Sequence, residues 1–148
     1  MISAKKKTIY IFGNPLLDFD NLPLKIAPKL QEIFPEINFV IADPSENIKP
    51  INEELIIIDT IEDIKKVTLI DDLEKIKIEK IYSLHDFDLA FNLKLLQKIG
   101  KLKKVKIFGV PIGIEEKIAL EQLEKIILSV FQTQFTRKKC EAQDMQGS

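Results

Sequence analysis

A chain of 148 residues, 45% hydrophobic and 30% charged, is long enough to bury one real core and too apolar for extended disorder. Its 22 basic and 23 acidic residues leave a net charge of −1, which gives no electrostatic reason to expect nucleic acid or an anionic membrane as partner. No apolar run approaches the roughly 20 residues that a membrane-spanning helix needs, and the single cysteine, Cys140, excludes a disulfide framework or a thiolate metal cluster. The opening MISAKKKTIYIFGN places lysines before an apolar patch, but that patch spans only Thr8 to Phe12, too short for a signal peptide. A cytoplasmic protein is therefore expected, and the heavy use of Ile, Lys and Glu matches the composition of thermophile proteins.

In chain order, Lys7–Phe12 is a predicted strand by its β-branched and aromatic content, and it runs into the turn signal Gly13-Asn14-Pro15. A loop over Leu16–Pro23 carries Asp18 and Asp20. The spacing of Leu22, Ile26, Leu30 and Ile33 predicts a helix, with Pro23 tolerable in its first turn and Pro28 a kink or a delayed start. Ile37–Ala42 is a second predicted strand, closed by Asp43-Pro44, and a polar loop follows. Leu55–Ile58 is a continuous apolar run that stops on Asp59, the pattern of a central parallel strand covered on both faces. Lys66–Ile70 and Lys75–Ile78 read as a hairpin or an antiparallel edge.

Tyr82–Asp88 then bridges to a helix from about Asp88 to Ile99, with Gly100 as its C-terminal stop. Val105–Val110 is the last predicted strand. The amphipathic pattern of Ile118, Leu120, Leu123, Ile126, Ile127 and Val130 predicts a helix over Glu115–Phe131. One domain over 1–133 and a polar, frayed or disordered tail over 134–148 complete the chain. This order of elements gives an α/β fold with a mostly parallel sheet.

Open α/β sheets keep their ligand chemistry at the carboxyl ends of the strands. If the first and third strands are neighbours, Asp20 and Asp59 come out at the same edge, and the loop of His85 can reach it. Two carboxylates and one imidazole make a plausible oxygen and nitrogen metal site, or a general acid–base set. Blander roles compete. Asp59 can cap a turn, Asp20 can be the N-cap of the first helix, and Asp43 can cap or turn. His85 can be an ordinary loop residue, with Ser83, Asp86 or Asp88 capping the helix that follows. Gly13-Asn14 is a weak phosphate-turn signal, and Cys140 has no evident role.

As an ordered set, these segments resemble the hydrogenase maturation proteases, the endopeptidases that trim the large subunit of nickel–iron hydrogenases. Gly13-Asn14-Pro15-Leu16-Leu17 followed by Asp20 is similar to the family's opening motif, and Ile56-Ile57-Ile58-Asp59 to its third strand and ligand aspartate. Ser83-Leu84-His85-Asp86 is similar to its histidine segment, and Phe108–Ile114 to its closing strand and turn. The resemblance covers about Thr8 to Ser129. It implies a three-layer sandwich, a twisted five-stranded sheet with helices on both faces. It also implies cleavage of a C-terminal peptide from a large-subunit precursor already loaded with nickel. The nickel, or another divalent metal in its place, would be carried by the substrate and held through Asp20, Asp59 and His85. Neither a nucleophilic serine nor a cysteine would be required, and a monomer is expected.

The chain departs from the family pattern in three places. Phe19-Asp20 stands where an acidic pair ending in glutamate is usual, so the acid is one methylene shorter, against coordination distances near 2 Å. Asp18 is an alternative ligand. Asn21-Leu22-Pro23 replaces the glycines that usually follow, and Asp43-Pro44-Ser45-Glu46 replaces a glycine- and threonine-rich turn. Two further readings stand beside the protease. One is a non-catalytic paralogue that binds the precursor without cutting it. The other is a phospho-aspartate receiver, which would need a lysine just after the last strand where Val110-Pro111-Ile112-Gly113 has none.

Overall fold

The computed structural model describes residues 7–13, 21–42, 50, 53–71 and 95–146, with the backbone alone over 132–146. Its elements are β1 (Lys7–Ile11), α1 (Leu22–Ile33), β2 (Ile37–Ile41), β3 (Glu54–Ile61), β4 (Thr68–Ile70), β5 (Lys104–Pro111) and α2 (Glu116–Gln146). The five strands form one sheet in the order β2-β1-β3-β5-β4. All neighbours run parallel except β4, which lies antiparallel to β5 at the edge. The expected α/β sheet and its antiparallel edge are both present. The edge strand pairs with β5, and the other half of the expected hairpin, Lys75–Ile78, lies outside the described residues.

β3 occupies the centre because nothing in Leu55–Ile58 needs water. Side chains alternate between the two faces of a strand, and both faces of this one are buried. Ile56 and Ile58 join Ile9, Ile11, Phe108 and Val110 under α1 and α2. Leu55, Ile57 and Ile61 join Phe12, Val105 and Ile107 on the opposite face, where Leu96 of a helical turn at 95–98 packs against them. That turn closes at Gly100, whose φ of +79° is the left-handed conformation that a helix stop requires. Helices thus lie on both faces of the sheet.

α1 begins at Leu22 with a proline in its first turn and continues through Pro28, which is exposed, so Pro28 does not delay its start. The corner between α1 and β2 is held by one side chain. The Gln31 amide donates to the carbonyls of Phe34 and Ile37 at 3.2 and 2.7 Å, and its oxygen accepts from the Phe39 N–H at 3.1 Å. The Phe34 and Phe39 rings meet beside it, with centroids 6.4 Å apart. Over 116–131 of α2 the buried positions are Ala119, Leu123, Ile127 and Phe131, one per turn. Ile118, expected on the inner face, is instead 42% exposed. The helix also runs on to Gln146, through a stretch read from sequence as a tail, because Lys, Glu, Ala, Gln and Met are strong helix formers even without an apolar face.

The amino edge of the sheet is tied electrostatically. Glu54, the first residue of β3, accepts from Lys7 of β1 at 3.1 Å and from Lys106 of β5 at 3.4 Å. Beside it Glu53, at φ +64°, takes the N–H groups of Lys103 and Lys104 on its carbonyl at 2.8 and 3.1 Å. Burial alone would push the Glu54 carboxyl up, but the Lys7 hydrogen bond and the Lys106 charge outweigh it and hold the group below its ordinary value of 4.5. As pH falls through that value the unfolded chain takes up a proton first, so this contribution is whole above 4.5 and lost below it. Urea unfolding between pH 7 and 3 is expected to show a shallower loss of stability below pH 4.5 in Glu54→Gln than in the wild type. Identical pH profiles would remove the triad from the account of stability.

Candidate active site

The strand order makes the site. From β1 the chain passes through α1 to β2 on one side, while β3 lies on the other, so the sheet switches direction between β1 and β3. At such a switch point the carboxyl ends open a crevice in which α/β proteins place their ligands. β1 stops at Ile11 and β3 continues to Ile61, two residues beyond Asp59, where the sequence pattern had suggested its end. The β1–β3 register pairs Ile11 with Ile58, and the Phe12 N–H donates to the Ile58 carbonyl at 2.9 Å. The pairing of β1 with β3 ends there, so Asp59 and Thr60 lie just beyond it.

Asp59 sits at this edge with 4% of its surface exposed, on the face shared with Ile57 and Ile61. A carboxylate taken this far from water requires hydrogen bonds, and one is local: the Thr60 N–H donates to Asp59 Oδ1 at 2.8 Å. Directly opposite on β5 lies Gly109. A Cβ there would collide with Ile61 Cδ1 and would stand 3.1 Å from Ile61 Cγ1 and 3.3 Å from Ile64 Cδ1. The missing side chain lets Ile61 lean over β5 immediately beyond the carboxylate.

Of the residues singled out in the sequence, Asp59 is therefore placed at the carboxyl edge of the central strand. Asp20 and His85 lie outside the described residues, as do Asn14, Asp18, Asp43, Ser83, Asp86 and Asp88. The N-cap of α1 is Asn21, not Asp20, and the Asn21 side chain makes no capping bond. Among the described residues no three acidic, histidine or cysteine side chains gather into a metal site, and no helix is long and apolar enough to cross a membrane. Two residues at this edge escaped the sequence reading, Gly109 and Thr60. A lone glycine between Phe108 and Val110, and a lone hydroxyl after Asp59, were the available signals.

The close fit between Gly109 and Ile61 is testable. Gly109→Ala forces Ile61 to move, and overpacking of this kind costs about 1–3 kcal/mol. In an Ile61→Val background, which lacks the colliding Cδ1, the same substitution is expected to cost measurably less in urea unfolding. Strict additivity of the two changes would show that the contact is not limiting.

No family model matches the sequence, and no curated protein matches it significantly. Among solved structures, the chain is similar to the hydrogenase maturating endopeptidase HybD from E. coli. The TM-score is 0.58 and the identity 21%, over 86% of this chain and 93% of that one. At that identity the likeness is one of fold, and it falls on the same kind of protein that the sequence motifs resemble. The chain has the α/β fold of a hydrogenase maturating endopeptidase.

Proposed function

We propose that this protein is an endopeptidase of hydrogenase maturation, which removes a C-terminal peptide from a nickel-loaded nickel–iron hydrogenase large-subunit precursor. The observation that carries the reading is the buried Asp59 carboxylate at the switch point, in a chain with the HybD fold. A carboxylate costs stability in such a place, and groups of that kind concentrate where chemistry is done. The motif resemblance assigns the rest of the site. Asp20, Asp59 and His85 supply two oxygens and one nitrogen, a donor set suited to a divalent metal of borderline softness. The nickel belongs to the precursor, and the three side chains read it as the mark of a substrate ready for trimming.

The reaction is amide hydrolysis. Water adds to the scissile carbonyl carbon, the C–N bond breaks, and the departing amine takes up a proton. A carboxylate at the edge can accept the proton of the attacking water and pass it to that amine. A non-catalytic paralogue would bind the loaded precursor without this step, so turnover separates the two readings.

Mass spectrometry of nickel-loaded and nickel-free precursors incubated with the protein tests the proposal. Loss of a C-terminal peptide from the loaded form alone is the expected result. Binding without cleavage of any loaded precursor would favour the paralogue. His85→Ala is expected to abolish processing with an unchanged urea midpoint, and processing at the wild-type rate would refute the site. Asp20→Glu, which restores the longer acid of the family pattern, is expected to keep or raise the rate.

A further inference from the structure

The penultimate residue of β3 carries an oddity of its own. Thr60 is 1% exposed, and its hydroxyl is the one buried side-chain polar atom among the described residues that makes no hydrogen bond. Buried hydroxyls are normally satisfied, and each exception in a native fold needs a reason. Valine has nearly the same shape and no such cost, and apart from Glu54 and Asp59 the rest of the strand is Leu and Ile. Thr60 alternates with Ile56 and Ile58, so its side chain lies on the face covered by α1 and α2, with Val110 opposite on β5. On its β1 side the register ends at the Ile11–Ile58 pair, two residues before Thr60. Thr60 thus stands just beyond the point where the β1–β3 pairing ends. Its own backbone N–H is the group that holds Asp59 Oδ1.

We propose that the Thr60 hydroxyl is a positioning group of the cleavage site, reserved for a neutral hydrogen-bonding partner that arrives with the bound precursor. That partner is a peptide carbonyl of the precursor or a water molecule trapped beneath it. The inference rests on the endopeptidase reading. A hydroxyl bonded in the loaded state fixes the 59–60 peptide unit, and with it the donor that orients Asp59. The unsatisfied hydroxyl is the stability cost of that arrangement, a pattern common at functional sites.

The test compares wild type, Thr60→Val, Thr60→Ser and Thr60→Ala for processing of a nickel-loaded precursor, with urea midpoints measured alongside. Thr60→Val is expected to keep or raise the midpoint while kcat/KM falls about tenfold, the scale of one lost hydrogen bond. Thr60→Ser is expected to process within about threefold of wild type, and Thr60→Ala about tenfold more slowly than Thr60→Ser, because that pair differs only in the hydroxyl. A loss confined to KM identifies the partner as the precursor carbonyl; a loss in kcat at constant KM identifies the trapped water. If Thr60→Val does not fold, the Ser and Ala pair carries the comparison. Wild-type cleavage matched by Thr60→Val and Thr60→Ala, or a serine variant no better than alanine, would overturn this inference alone. No cleavage by the wild type of any loaded precursor would overturn the endopeptidase reading and this inference with it.

Discussion

Everything in this molecule is arranged around a strand buried on all sides. β3 is paired along its length with β5, meets β1 over its middle, and is covered on both faces. Such a strand carries polar groups where one neighbour, β1, no longer pairs with it, at its two ends. At the amino end the solution is ionic, a glutamate held by two lysines from the flanking strands. At the carboxyl end it is an aspartate that accepts from the next backbone N–H, followed by a hydroxyl that makes no hydrogen bond among the described residues. The first arrangement closes on itself. The second is the one that we propose a substrate completes.

This division separates what keeps the chain folded from what it does. The lysine–glutamate triad, the Glu53 carbonyl clasp and the Gln31 bracket lie away from the carboxyl edge and bind strand to strand or helix to strand. Other ties reach the same end. The Val67 N–H donates to the Gln122 side chain at 2.9 Å, fixing the segment before β4 against α2. An exposed pair between Lys29 and Glu116 at 2.8 Å joins α1 to α2 and contributes little in high dielectric. The carboxyl edge is therefore flanked by elements tied to one another, while its own groups remain unusual.

Much of this was legible in the sequence, because the strongest signals were large and local. The run Leu55–Ile58 identified the central strand, the spacing of Leu22 to Ile33 identified α1, and Gly100 marked a helix end. The carboxyl-edge position of Asp59 followed from where that apolar run stops. What escaped were properties set by partners distant in sequence. The pairing of β4 with β5, the extension of β3 past Asp59 and the vacancy at Gly109 depend on residues some forty to fifty positions apart. Ile118 was misplaced because Ala119, small and easily overlooked, occupies the buried position of that turn. The reach of α2 to Gln146 was hidden because intrinsic propensity without an apolar stripe leaves no periodic mark. Thr60 was hidden because a hydroxyl reads the same in sequence whether or not it finds a partner.

The central position of β3 also has a price during synthesis. Its ion-pair partners lie 47 residues before it and 52 residues after it in the chain. β1 is therefore made well before β3, but β5 is not. At roughly 5–20 residues per second, the ribosome delivers β5 only some 3–10 s after β3 has emerged. Throughout that interval one edge of a nearly all-aliphatic strand waits without its neighbour, a ready template for pairing with another nascent chain. The strand that makes the finished fold stable is the one that most needs shielding while the fold is being made.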